Sequence, residues 1–242
     1  MDTMTRKQRE TAQREELVLD VGRRILVERG YLGLTMDRVA EATEYSKGTI
    51  YQHFPNKEEL VVALAIQTAH KRAEFFERAA TFPGRTRERM AAIGEAADLF
   101  QRVFPEHMLA EDIACTSSIR EKTSPERQKD LQACDLRCMG ITTGIVRDAL
   151  SQGDLTLREG VRPEDVVFGL WAMHMGTAGF VTSGRDMTAV GIPDPMEALW
   201  TSYNAYLDGF AWQPLSHEMD YGATLERVRA EIFPDEARLA QG

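Results

Sequence analysis

Cysteine is scarce in this sequence: Cys115, Cys134 and Cys138 are the whole supply in 242 residues. So small and odd a number argues against a disulfide framework as the source of stability. Long apolar runs are missing too, and none approaches the ~20 residues that a membrane-spanning helix needs. The opening segment is polar and charged, unlike a signal peptide. These absences lead to the expectation of a cytoplasmic protein with no membrane partner. A glycine-rich phosphate loop, G-x-S-x-G and H-E-x-x-H are likewise absent, so no acid, base or nucleophile is marked for an enzyme and no cofactor or metal is called for. Cys134 and Cys138 share a helix face at i, i+4, but nothing with ligand spacing accompanies them. His107 and His174 stand singly.

Net positive charge is lacking as well. The chain carries 29 Lys and Arg against 38 Asp and Glu, a balance of −9. That balance at first opposes a nucleic-acid partner, yet its distribution removes the objection. Residues 1–80 hold 13 basic and 13 acidic side chains, and the whole acidic excess lies in residues 81–242. A neutral segment can still gather cations on one face, and phosphate affinity depends on that face.

What the chain does have is helical periodicity, with no strand-like alternation, no internal repeat and no low-complexity tract. The spacing predicts a first helix over 13–29, with Leu17, Val18, Val21, Ile25 and Val27 along one stripe and Gly30 as its stop. Before it, Arg6, Lys7, Arg9 and Arg14 form either an arm that touches phosphates or a solvated, disordered terminus. From Thr35 to Leu60 two short helices follow, joined by a tight turn. Thr35 caps the first, where Val39, Ala40 and Ala42 make a small apolar face. Ser46 caps the second, which carries Lys47, Gly48, Thr49, Ile50, Tyr51, Gln52, His53 and Phe54. Ile50 and Phe54, at i, i+4, face inward, leaving Lys47, Thr49, Gln52 and His53 largely outward. Pro55 ends that helix, and Asn56 caps a long one from Lys57 into the Phe75–Phe76 region. Two short helices, the second studded with donors, are what a major-groove reader needs.

The stretch from Val27 to Leu64, with GYLGLTMDRVA and then SKGTIYQHFPNKEEL, resembles the DNA-binding domain of the tetracycline-repressor (TetR) family of bacterial transcription regulators. It departs from many members in placing Glu44 where they have a turn glycine. The resemblance implies an all-α protein with an N-terminal three-helix helix-turn-helix domain, residues 1–60, and a larger C-terminal helical ligand-binding and dimerisation domain, residues 61–242. The implied partner is a double-stranded DNA operator. Among the DNA-binding set Thr35, Ser46, Lys47, Gly48, Thr49, Tyr51, Gln52, His53 and Lys57, the side chains of Lys47, Thr49 and Gln52 are expected to reach base edges. Thr35, Ser46, Tyr51, His53 and Lys57 are expected to hold phosphates.

Downstream, helices are expected over 87–104 (stopped by Pro105), 106–121, 125–152 (Ser124 cap, Gly153 stop), 163–181, 195–210 and 223–232, with loops at 154–162 and 182–193. The helix at 163–181 is apolar almost all round and must be covered on more than one side. With the broad apolar face of 195–210 it suggests a homodimer interface, the arrangement typical of the resembled family. The family also implies a site for a small-molecule effector. Phe104, Met108, Met139, Trp171, His174 and Met175 are its candidates, suited to an apolar or aromatic ligand. The reading is a transcription regulator, a repressor released by such a ligand. The alternatives are a helical small-molecule-binding enzyme or an adaptor whose helix-turn-helix does not function.

Overall fold

The computed structural model describes residues 5–241, and within them every regular element is helical. The helices are α1 (Arg6–Gly33), α2 (Met36–Thr43), α3 (Lys47–His53), α4 (Lys57–Ala80), α5 (Thr86–Val103), α6 (Pro105–Ala114), α7 (Ser117–Arg120), α8 (Pro125–Gln152), α9 (Pro163–Thr182), α10 (Pro195–Gly209), α11 (Tyr221–Glu231) and α12 (Pro234–Leu239). None is long and apolar enough to cross a membrane. The chain divides into two compact units, the first built from residues up to 73 together with 100–136, the second from 74–99 and 137 onward.

The first unit forms around α1, and this helix begins earlier than its periodicity implies. Thr5 and Gln8 close a capping box, each side chain bonded to the other's backbone N–H, so the two free donors that would fray the first turn are satisfied. Arg6, Lys7 and Arg9 are therefore helical and not a disordered terminus; residues 1–4 lie outside the described residues. The buried stripe is Val18, Leu19, Val21, Ile25 and Leu26, whereas Leu17 and Val27 face outward. Gly30, at φ 65°, breaks the helical path where a side chain would be strained. Gly22 has a different reason: a Cβ there would lie 3.1 Å from Leu60 Cδ2. The start of α4 presses on α1 at this point, with Leu60, Val61 and Leu64 fully buried.

The expected single helix over 106–121 is two helices. Thr116 takes an extended backbone, and its hydroxyl donates to the Ile113 carbonyl at 2.8 Å, which ends α6 before α7 can continue it. Pro105 opens α6 at its first position as well as following α5. In this unit Arg23, nearly buried, bonds Gln67 and approaches His107 Nδ1 at 2.9 Å.

In the second unit buried charges pair with half-buried partners. Arg87, 1% exposed, meets Asp208 at 2.6 Å and donates to the Trp212 carbonyl. Glu95, fully buried, receives Arg229 of α11 at 2.5 Å. Helix α11 starts at Tyr221, two residues before the expected point, because Asp220 is its cap. Helix α12 is short and escaped the period; Phe233 stacks on Phe75 at 5.2 Å and Arg78 lies over Phe233, which fastens it. Gly169 is where α9 and α10 approach closely: a Cβ there would stand 2.2 Å from the Tyr206 hydroxyl, which bonds the Val166 carbonyl.

Candidate nucleic-acid interface

The site is made by α2, the bend after it, and α3. Thr35 Oγ1 accepts the Arg38 N–H at 3.3 Å and so starts α2. The apolar face of this helix is Met36, Val39, Ala40 and Thr43. Ala42 is exposed, contrary to the spacing argument, because eight residues are too few for a period to fix which side turns inward. Thr43 earns its burial by donating its hydroxyl to the Val39 carbonyl at 2.8 Å.

Glu44 then adopts a left-handed conformation, φ 58° and ψ 20°. A side chain in that region costs on the order of 1 kcal/mol. Its N–H and that of Tyr45 close the turn on Glu41 and Ala40. The bend is thus made here by a glutamate.

Ser46 caps α3, its Oγ accepting the Thr49 N–H at 3.1 Å and lying 2.9 Å from Thr49 Oγ1. Two fully buried anchors, Ile50 and Phe54, seat the helix on the core. With that face fixed, Lys47, Gly48 and Gln52 are exposed, Tyr51 is 47% exposed, and Thr49 and His53 are half-buried. Gly48 is not required by packing: a Cβ there would meet nothing closer than Ser46 Oγ at 3.7 Å.

Asn56 Oδ1 caps α4 through the Glu59 N–H at 2.8 Å. Lys57 is half-buried, its Nζ 3.9 Å from the centroid of the Tyr31 ring and 3.3 Å from the Tyr31 carbonyl oxygen. Tyr31 in turn donates to Glu58 at 2.9 Å; burial and that partner push its phenol up to about 12. Sequence spacing gave no sign of Tyr31 as the companion of Lys57. It also missed Asp37, whose carboxylate sits 2.7 Å from Lys47 Nζ. Hydrogen bonding to Asp37 raises the lysine ammonium above its ordinary value.

Thr35, Ser46, Lys47, Gly48, Thr49, Tyr51, Gln52, His53 and Lys57 therefore lie on or beside one helix-turn-helix. The effector candidates divide between the two units. Phe104, half-buried, and Met108, buried, belong to the first unit; Met139, Trp171, His174 and Met175 belong to the second. Trp171 and Met175 stand exposed with Phe168 on α9.

An all-α fold with a capped helix pair of this geometry defines the helix-turn-helix class. Residues 18–64 match the family of bacterial regulatory proteins of the tetR type. The match is confined to this N-terminal segment, which resembles the DNA-binding part of that family. The chain is 45% identical over 64 residues to the HTH-type transcriptional repressor AcnR of Corynebacterium glutamicum, a match covering 26% of this chain and 34% of that one. The chain thus spans about a third of the length of the curated relatives it matches. Over greater lengths the likeness is one of fold. The TetR family regulator PfmR of Thermus thermophilus superposes with a TM-score of 0.58 at 18% identity, covering 79% of this chain and 97% of PfmR. The SmeT–triclosan complex gives 0.57 at 17% identity, covering 85% and 97%.

Proposed function

We propose that this protein is a sequence-specific DNA-binding transcription regulator, a homodimeric repressor released by a small apolar or aromatic ligand. The observation that carries the reading is the outward ridge of α3. Lys47, Tyr51 and Gln52 project from a helix whose other side is locked by Ile50 and Phe54. A rigid backbone with polar tips outward is what reading a groove demands. Lys47, Thr49 and Gln52 are assigned to base edges, and Thr35, Ser46, Tyr51, His53 and Lys57 to the phosphate backbone, with Gly48 in the same DNA-binding set. Residues 1–60 supply the reader, and 61–242 the regulatory and dimerisation part.

Dimerisation is supported by α9. Phe168 is 59% exposed and Trp171 47% exposed. A Cβ at Gly176 or Gly179 would meet nothing within 4 Å in the single subunit. Large apolar side chains bordering open glycines form a surface that a second helix can approach closely. Two subunits related by a two-fold axis present two readers to half-sites about 34–36 Å apart, or a multiple of that. The ligand class draws support from SmeT, a neighbour in fold whose structure is that of a complex with triclosan.

A mobility-shift titration against the DNA upstream of the gene, with a scrambled duplex of equal composition as the control, tests this reading. Retardation of the upstream fragment at concentrations that leave the control free is the expected result, and equal retardation of both refutes it. Thermal-shift screening of apolar and aromatic metabolites, triclosan included, tests the ligand class, since a compound that prefers the folded state raises Tm.

A further inference from the structure

The ion pair between Asp37 and Lys47 joins the first turn of α2 to the first residue of α3. Both side chains are exposed, at 62% and 63%, so the pair stands on the surface that the reader presents. No packing requirement holds either residue there. Asp37 lies where a carboxylate is favoured, in the opening turn of α2, and its oxygen takes the ammonium at 2.7 Å. A carboxylate on a face that approaches phosphates opposes binding unless it gives something in return.

We propose that Asp37 is a specificity-determining residue that holds Lys47 in place and suppresses its use as a general phosphate binder. The argument rests on the DNA-binding reading above. An unpaired lysine at this position is a mobile point charge that can neutralise any nearby phosphate, whatever the base sequence. Paired with Asp37, it contributes no net charge to a random duplex. It is also held in one direction, so that a guanine edge correctly placed gains a donor at little ordering cost. The carboxylate thus penalises non-specific binding more than specific binding, which is one of the two ways to gain selectivity.

The test is a double-mutant cycle on the full-length protein. A duplex is first selected by the wild-type protein from a randomised 40-base-pair library, and its scrambled counterpart serves as non-specific DNA. Wild type, Asp37→Asn, Lys47→Ala and the double variant are titrated on both duplexes over a range of salt concentrations. Asp37→Asn should tighten scrambled-duplex binding about two- to five-fold, the range open to an exposed ion pair. It should steepen the salt slope there by about one unit, and the ratio of selected to scrambled affinity should fall. In the Lys47→Ala background the same change should have little effect. If Asp37→Asn tightens binding equally with and without Lys47, the carboxylate acts by general repulsion and the proposal is overturned. It is also overturned if both duplexes gain equally, so that the ratio is unchanged. Failure to enrich any duplex would instead strike at the DNA-binding reading itself, so the two failures are distinguishable.

Discussion

Lys57 lies over the ring of Tyr31, with its Nζ 3.9 Å from the centroid and 3.3 Å from the carbonyl oxygen of the same residue. The lysine therefore joins the first turn of α4 to the end of α1, while the residue stays only half-buried. Lys57→Ala should act on two observables. Binding to every duplex should weaken with a salt slope shallower by about one unit. Stability should fall by about 0.5–1 kcal/mol through loss of the cation–π contact. Tyr31→Leu should lower stability and leave the salt slope near the wild-type value. Denaturant melts and salt-dependent fluorescence anisotropy separate the two effects.

Gln52 and Gly48 differ in what they are expected to supply. Gln52→Ala should cost about 1–3 kcal/mol on a selected duplex and leave random DNA unaffected. Gly48→Ala should stabilise the free protein by up to about 1 kcal/mol, since glycine weakens a helix and the new methyl meets only Ser46 Oγ at 3.7 Å. The same methyl should weaken DNA binding by obstructing close backbone approach. A variant that melts higher and binds DNA as well as wild type would remove Gly48 from the interface.

Trp171 is 47% exposed beside Phe168 on α9. Trp171→Glu should convert the proposed dimer to a monomer in sedimentation equilibrium, because a charge cannot be buried there without a partner. Losing the second reader should reduce affinity for a two-half-site duplex on the order of a hundredfold. Affinity for a single half-site should be unchanged.

His107 titrates in an unusual range. Burial, followed by the nearby charges of Arg23 and Lys71, pushes its imidazole down to about 4. Arg23 Nη1, 2.9 Å from Nδ1, can only donate, so it favours a neutral ring with its lone pair on that nitrogen. Thr68 is also within reach of Nδ1, and Glu106 lies 3.7 Å from Nε2. The unfolded chain protonates near 6.5 and the folded one only near 4. The neutral ring's contribution is therefore complete above pH 6.5 and lost as pH falls toward 4. Between those values the stability of wild type relative to His107→Gln should drop by about 1–2 kcal/mol, allowing for solvent that reaches the ring. Chemical denaturation of both proteins at pH 7.5, 5.5 and 4 measures it.

Features encoded within four or five residues were legible in the chain itself. The caps at Thr35, Ser46 and Asn56 hold as expected because an N-cap bond needs only its own first turn. The inward pair Ile50 and Phe54 follows from i, i+4 spacing and two large side chains. Illegible features were of two kinds. Ala42 and the short helices α7 and α12 are too brief for periodicity to orient or detect them. Partnerships across a bend, Asp37 with Lys47 and Tyr31 with Lys57, depend on how helices meet, and no spacing rule records that. The long α9 was legible in another sense: its apolar surround signals a covering layer, and the single subunit leaves much of it bare.

Gly22 faces Leu60 across a gap that leaves 3.1 Å for a first carbon. Natural variation at these two places should consequently be correlated. Lineages that acquire alanine at 22 are expected to carry valine or a smaller residue at 60 more often than lineages that keep glycine. Directed evolution should find the trimmed combination Gly22→Ala with Leu60→Val more readily than either change made alone.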